Sequence, residues 1–535
     1  MAKLGFFTQR PHPDQTRNKE GGMAFQIPDP ALRLLSMLGS SFFNEPKYYE
    51  LTVAGDLSES AGLIISTAQE IAQSEHPRDL LLLAHWARSA MRIRTTPQIL
   101  LAIAANDEKT KPFVRQYCPR IIQRADEVRQ VFAAYDFLFG RPFPNCLKRG
   151  LADALTQFDE YALLKYNTKR HPTFRDVLLM IDRRQDYPVQ QALFEYLVNQ
   201  KVIEPEKTPV LAAQKALLDK TEFDDDAKRL ATTARATWEM LVSHFGNRTE
   251  VWEFLIPQMG YMALLRNLRN LQQAGISWEA TERVARRLAD PEEVARSKQL
   301  PFRFYTAYLT VQGDEFGFAF SYRFMEALIE ALEHSLAQVP HLPGKTAICC
   351  DNSGSMAQKI SRKSEVSCAD VANLLGAMAH RICDEALVIA FATDAVTVDL
   401  PASDDLIAKA EAIKMTETNG WATHGWKCIQ LLIDQNIFVD RILLLSDMQC
   451  YDSHWERENS VNARLNAYRR RINSECYLHS IDLQGYGLSQ TPTDDPRVNL
   501  LSGFSENILS YILTFEAATP PDTPLPTLET LRQQW

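Results

Sequence analysis

One short stretch of this 535-residue chain divides it into two kinds of folding problem. Up to about Leu336, apolar residues recur at helical spacing and strand-like alternation is nearly absent. After AQVPHLPGKT (337–346), short continuous apolar runs alternate with amphipathic helical stretches. Two prolines and a glycine within that segment end the last helix and mark a boundary. Such a chain folds neither as one helical bundle nor as one sheet. It is multidomain, with an all-α part followed by an α/β part.

The first part is placed at 16–340. Prolines stand near its helix starts, as in HPRDLLLLAHWARSA (76–90) and TTPQILLAIAAND (95–107), where a missing N–H costs little. Many short helices punctuated by Pro or Asn predict stacked helical hairpins, although no clean repeat period is visible. The second part is placed at 341–515. Strands are expected at TAICC (346–350), ALVIAFAT (386–393), RILLLSD (441–447) and CYLHSIDL (476–483), with helices at 364–382, 403–413, 424–435 and 456–472. Continuous apolar strands alternating with helices predict a mostly parallel, doubly wound sheet covered on both faces. A proline-rich tail, 516–535, reads as an extended segment.

Composition narrows the partners. No run approaches the length of a membrane span, and MAKLGFFTQRPHPDQTR has no apolar core of signal-peptide length, so a cytoplasmic location is expected. Nine cysteines without CxxC pairing suit free thiols, and Cys349 and Cys350 read as fillers of a buried strand. The net charge of −9 lies entirely in residues 341–535, which hold 16 Lys+Arg against 25 Asp+Glu. Residues 1–340 balance at 42 of each sign, so a nucleic-acid partner is compatible with a basic face on the first part.

Candidate site residues gather at the strand tips. Asp351, Ser353 and Ser355 follow the first strand in AICCDNSGSM, Thr423 lies in the loop NGWATHGW, and Asp447 follows RILLLS directly. Open α/β sheets bind ligands outside the carboxyl ends of their strands. Two carboxylates and three hydroxyls are hard oxygen donors, the set that Mg²⁺ prefers. A plainer reading, in which the two serines only cap the next helix, leaves Thr423 and Asp447 unexplained. His424 is the nearest candidate for a general base and reads better as a residue at a helix N-terminus, so hydrolysis is not expected. No Walker A loop occurs.

This arrangement resembles the metal-ion-dependent adhesion site of von Willebrand factor A domains. The resemblance implies that Asp351, Ser353, Ser355, Thr423 and Asp447 hold one divalent cation, most simply Mg²⁺, some through water, and that an acidic group from a partner fills its open position. Three stretches of the helical part resemble the TROVE domain of the Ro autoantigen family: NKEGGMAF (18–25) with LRLLSMLGSSFFNEPKYYE (32–50), VWEFLIPQMGYMALLRNLRNL (251–271), and LPFRFYTAYLTV (300–311). That resemblance implies a HEAT-like helical ring closed by the A domain. It further implies a central hole for single-stranded RNA ends, an outer basic face for a small noncoding Y RNA, and an exoribonuclease partner such as polynucleotide phosphorylase. It implies RNA quality control by a monomeric, non-enzymatic ribonucleoprotein component.

For the RNA contact, segment 141–185 is rich in Lys and Arg. Lys148, Arg149, Lys165, Arg170 and Arg175 suit phosphate neutralisation, and Tyr166 and His171 suit stacking on an unpaired base. KYNTKRHPTFRDVL (165–178) aligns with a family stretch that contributes to Y RNA contact, but Phe174 stands where animal members carry an RNA-contacting histidine. Either His171 takes that place by a local shift, or the chain makes no such contact; such departures point to a bacterial member. An ordinary solvated helix face is the competing reading of this cluster. Arg266 and Arg269 either line the hole or are partly buried structural arginines. Two rivals to the RNA reading stay open: an A-domain adaptor of a hexameric ATPase in metal-cofactor maturation, and a metal-dependent phosphoesterase.

Overall fold

The computed structural model describes residues 12–19, 21–40, 59–91, 93–167, 171–181, 188–199, 203–299, 301–312, 318–337, 339–359, 366–403, 405–450, 459–484 and 487–502, with six isolated positions beyond. They fall into two compact units, one from within residues 1–44 and 339–534, the other from within 45–338. Among the described residues no helix is long and apolar enough to cross a membrane.

Among the described residues, the 45–338 unit is helical in every regular element. Helices pack mainly on neighbours one or two places along the chain: Asp79–Ser89 on Thr96–Asn106, Thr96–Asn106 on Ala125–Phe139, and Lys111–Ile121 on Asn145–Leu155. Local pairing of this kind is the packing of helical repeats. Helices Pro188–Asn199, Pro209–Leu218, Pro291–Ser297 and Pro301–Gln312 begin on proline, as the punctuation predicts. Helix Thr96–Asn106 is buried from Thr96 to Ala105 and forms a local core. Beneath it Arg88 and the fully buried Glu127 form an ion pair at 2.8 Å. Glu127 Oε2 also accepts from the backbone N–H groups of Gln123 and Arg124, while Oε1 faces Arg88. Burial pushes its carboxyl up, and Arg88 offsets only part of that.

The other unit is built on a six-stranded sheet. Its strands are β3 (Leu342–Asp351), β4 (Cys383–Phe391), β5 (Ala395–Thr397), β6 (Arg441–Ser446), β7 (Tyr477–Asp482) and β9 (Val498–Ser502), in the order β5-β4-β3-β6-β7-β9. Only the edge strand β5 is antiparallel. The four expected strands are present, and helices stand at Cys368–Ile382, Leu406–Lys414, Trp426–Asp434 and Val461–Arg471. The starts of the expected helices 364–382 and 456–472, and nearly all of the tail 516–535, lie outside the described residues, while β5 and β9 lie outside the expectation. Cys349 and Cys350 are fully buried and point to opposite faces of β3, as the period of a strand requires. Cys349 joins the core under helices Trp426–Asp434 and Val461–Arg471. Cys350 meets Gly376 of helix Cys368–Ile382, where a Cβ would overlap its sulfur. All nine cysteines are free thiols.

Residues 12–40, which their position in the sequence groups with the helical half, pack with the α/β unit. Strands β1 (Gln15–Arg17) and β2 (Met23–Gln26) form a hairpin, and β2 pairs with β8 (Leu488–Ser489). Helix Pro30–Ser40 lies against β9.

Candidate functional site

The sheet order reverses at β3. Its follower β4 lies on one side and β6 on the other, which opens a crevice at the carboxyl ends of β3 and β6. Asp351 ends β3 and Asp447 directly follows β6, so topology alone brings the two carboxylates to that crevice. Asp351 is fully buried and Asp447 is 1% exposed. Asp351 Oδ2 accepts from Ser446 Oγ at 2.6 Å, and Oδ1 accepts from the Ser353 N–H at 2.9 Å. The Ser353 and Ser355 hydroxyls lie 3.3 Å apart. Asp447 Oδ1 accepts from the Gln449 N–H at 3.1 Å.

Thr423 reaches the same edge in a loop that its backbone ties down. The Gly354 N–H donates to Trp421 O, the Ala422 N–H to Thr393 Oγ1 and the His424 N–H to Ala392 O. Thr423 itself is buried. His424 Nδ1 lies 2.9 Å from Thr393 O, and the residue stands just before helix Trp426–Asp434, so its ring is used in holding the loop. Met448, directly after Asp447, has φ +60°, an uncommon conformation for a residue with a side chain. Burial first, and the charge of Asp447 second, push the Asp351 carboxyl up to about 7, against the pull of the Ser353 and Ser446 hydrogen bonds. Two buried carboxylates in mutual repulsion, faced by hydroxyl oxygens, form a place whose chemistry fits a hard cation. Among the described residues no cluster of three His, Cys, Asp or Glu groups could hold a metal, so any ion here would depend on the serine and threonine oxygens as well.

One component has no local signal in the sequence. Asn18 is buried, donates through Nδ2 to Cys450 O at 2.7 Å, and accepts from the Gly22 N–H; the Lys19 N–H donates to Gln449 Oε1. The NKEGG turn, with Gly21 at φ +83°, therefore grips the loop that carries Asp447. The turn residues are visible in the sequence; their partners 430 and more positions away are not.

The RNA candidates of the helical unit are mostly on its surface. Arg149, Lys165, His171 and Arg175 are exposed, and Lys148 and Tyr166 half-buried; Arg170 lies outside the described residues. The Arg124 guanidinium covers the Tyr166 ring at 4.6 Å. Arg175 Nε donates to Val198 O at 3.0 Å, which turns part of that side chain to a structural use. Phe174 is fully buried beneath Arg129, whereas the His171 side chain is 85% exposed, its Nδ1 3.3 Å from Asp176 Oδ2. The histidine, not the phenylalanine, is the residue a ligand can reach. His171 also borders a cleft of about 590 Å³ with Arg141, Phe137 and Phe143. Lys165 lines a different cleft. Arg266 and Arg269 are both exposed, while Leu264, Leu265, Leu268 and Leu271 are buried; the partly buried alternative does not hold.

A family model, the TROVE domain, matches residues 17–209 and 205–321, more than half of the chain. The chain belongs to the TROVE-domain (Ro) family. This is a family of RNA-binding proteins. The chain is 29% identical to rat (Rattus norvegicus) telomerase protein component 1 over 291 residues, 43% of this chain and 11% of the relative. It is 27% identical to the mouse (Mus musculus) protein of that name over 311 residues, 48% of this chain and 12% of the relative. The chain thus spans about a tenth of the length of these relatives. Among solved structures, its fold is similar to that of the Ro (RSR) protein of Deinococcus radiodurans, with a TM-score of 0.67 at 17% identity, covering 90% of this chain and 98% of that one. All nine candidate RNA residues fall within the TROVE match, and all five strand-tip oxygen residues fall beyond it.

Proposed function

We propose that this TROVE protein is the RNA-binding component of a Ro-type ribonucleoprotein. It holds a small noncoding, Y-like RNA on an outer basic face and single-stranded RNA ends in the hole of a HEAT-like helical ring, for quality control or decay with an exoribonuclease partner. The observation that carries this reading is the exposure of Arg149, Lys165, His171, Arg175, Arg266 and Arg269 within the matched family region. Exposed cations release counterions when they meet phosphate, which is the main source of affinity for nucleic acid.

The α/β unit acts in this reading as a von Willebrand factor A domain. Asp351, Ser353, Ser355, Thr423 and Asp447 would hold Mg²⁺. The bound ion would supply an electrophilic site for an acidic group of a partner protein, and the chain's own groups bind rather than turn over substrate. The buried carboxylate pair and the hydroxyls around it support this assignment. The protein works as a cytoplasmic monomer apart from its RNA and nuclease.

The test is to purify the intact protein gently and sequence the RNA that accompanies it. Recovery of one or a few small structured RNAs, lost when Lys148, Arg149, Lys165 and Arg175 are changed to Glu, supports the reading. A preparation free of RNA that instead captures a hexameric ATPase would replace it with the adaptor reading.

A further inference from the structure

A second cleft, of about 320 Å³, opens in the helical unit where helix Glu160–Lys165, the turn before helix Trp238–Phe245 and the turn before helix Tyr261–Arg266 meet. Its lining combines two cations, Lys165 and Arg235, with two aromatic rings, Tyr161 and Trp238. The Arg235 guanidinium lies 4.0 Å over the Tyr161 ring, and one of its N–H groups is held by Asp159 at 2.9 Å. The Lys165 ammonium stands 5.6 Å from the same ring. Trp238 is half-buried and stacks at 5.9 Å on Trp252, which is fully buried, so the outer indole has a rigid backing. Glu239 and Gln258 add hydrogen-bonding groups at the rim.

The backbone singles out Arg235. Its φ is +49°, in the left-handed region that favours glycine, directly after the C-cap Ala234 of helix Asp225–Thr233. An arginine at a position suited to glycine brings to the cleft what glycine cannot: a planar cation laid on an aromatic face.

Aromatic faces for a base beside cations for a phosphate are the chemistry by which proteins hold single nucleotides of an unpaired strand. The cleft is at the small end of the volumes that enclose an organic ligand, so it admits one nucleotide and excludes a duplex. We infer that this cleft binds one unpaired nucleotide, its base against Trp238 and the guanidinium plane of Arg235, which Tyr161 backs, and its phosphate on Lys165 and the edge of Arg235. The inference rests on the RNA-binding reading above and adds a discrete subsite to it.

Arg235→Gly gives a clean test, because it removes the side chain and relieves the φ strain together. The probes are a fluorescein-labelled single-stranded oligoadenylate of about ten nucleotides, a blunt RNA duplex of the same length, and AMP. With the full-length protein, Arg235→Gly is expected to weaken single-strand binding about tenfold, leave duplex binding unchanged and leave the melting temperature no lower than native. A loss confined to AMP assigns the cleft to a free nucleotide rather than to a strand. Unchanged affinity for both strand and AMP, in a protein that otherwise binds RNA, overturns the subsite alone, as does an equal loss on the duplex. A native protein that binds none of the probes and carries no RNA overturns the subsite and the underlying reading together.

Discussion

The two units handle their polar residues in opposite ways. In the helical unit the candidate residues stand mostly in water, on helices whose apolar faces make the core. In the α/β unit Asp351, Ser353, Thr423 and Asp447 are each at most 5% exposed, and the two carboxylates accept from the Ser353 N–H, the Ser446 hydroxyl and the Gln449 N–H. A surface that meets a polyanion gains from the number of its cations and tolerates looseness in each. A site for a small ion gains from fixed oxygens and tolerates almost no movement. Charge is unevenly placed along the sequence too, since residues 341–535 carry the whole net charge of −9 and residues 1–340 balance. The way to break the comparison is to change each region by the kind of perturbation it should ignore as well as by the kind it should feel.

The largest effect should come from reversing the exposed cations. Lys148, Arg149, Lys165 and Arg175 changed together to Glu should weaken binding of a structured RNA by about a thousandfold or more. The log–log salt dependence should flatten by about one unit for each phosphate that is no longer neutralised. Asp351→Ala in the other unit should move RNA affinity by less than about twofold, since that carboxylate meets no phosphate. Filter binding at three salt concentrations measures both. If the reversal leaves affinity and slope untouched while Asp351→Ala destroys binding, the roles of the two regions are exchanged.

Next come the buried ion pairs, one in each unit. Arg88–Glu127 is sealed under helix Thr96–Asn106, and Arg441 makes a two-pronged contact with Glu516 at 2.7 and 2.8 Å. Burial pushes Glu516 up, but the hydrogen bonds and charges of His479 and Arg441 outweigh it and hold the carboxyl at about 2. Glu127, with Arg88 alone as its cationic partner, stays raised. Removing one member of either pair leaves a buried charge without compensation, at a cost of about 3–5 kcal/mol. Urea unfolding of Glu127→Ala and Glu516→Ala should show losses of that size. Because burial works against the charged form of Glu127 while its partners hold Glu516 charged, the milder Glu127→Gln should recover more of its loss than Glu516→Gln. Equal recovery would mean that the two pairs are electrostatically alike.

A smaller effect is reserved for the metal. Mg²⁺ at about a hundred times its Kd should raise the midpoint of the α/β unit's unfolding by roughly 5 °C. Asp351→Ala and Asp447→Ala should each abolish that shift, because one remaining carboxylate does not offset the dehydration that Mg²⁺ resists. The exposed quadruple reversal should leave it intact. An equal Mg²⁺ shift in native protein and Asp351→Ala would remove the ion from this site.

The same division decides what can be seen in the sequence. The strand tips are legible because a continuous apolar run ending in Asp is a local signal, and β3 and β6 carry it in TAICCD and RILLLSD. The 3- and 4-residue strands β1 and β2 are not, since neither is long enough to display a period and β2 pairs with a two-residue strand far along the chain. Asn18 stands in a visible turn, yet its role depends on Cys450, which no local pattern connects to it. Arg266 and Arg269, by contrast, are within reach of sequence reasoning. They lie three residues apart, one ending helix Tyr261–Arg266 and the other in helix Leu268–Gln273, and the spacing of the buried Leu264, Leu268 and Leu271 leaves them the outer side. The left-handed Arg235 gives no sign, because conformation at a single non-glycine residue leaves no trace in composition.

The last test sharpens the comparison most, because it concerns one proton. The Asp351 carboxyl is raised to about 7 in the folded, metal-free protein, against about 3.9 in an unfolded chain. Between those values the native state binds more protons than the unfolded state, so the group's contribution to stability falls as pH rises through the window. In EDTA, the α/β unit's midpoint should therefore drop from pH 5 to pH 8, with roughly 5 °C traceable to Asp351. Saturating Mg²⁺ should cancel that part of the slope, since the ion stabilises the charged carboxylate that the proton had neutralised. Asp351→Asn removes the titration and should make the metal-free midpoint less dependent on pH while leaving the protein blind to Mg²⁺. Melting curves at four pH values, with EDTA and with Mg²⁺, distinguish the cases. An Asp351→Asn protein with the native slope would mean that the carboxylate already has a cationic partner within the fold, and the strand-tip cluster would then be a closed structural network rather than an ion's place.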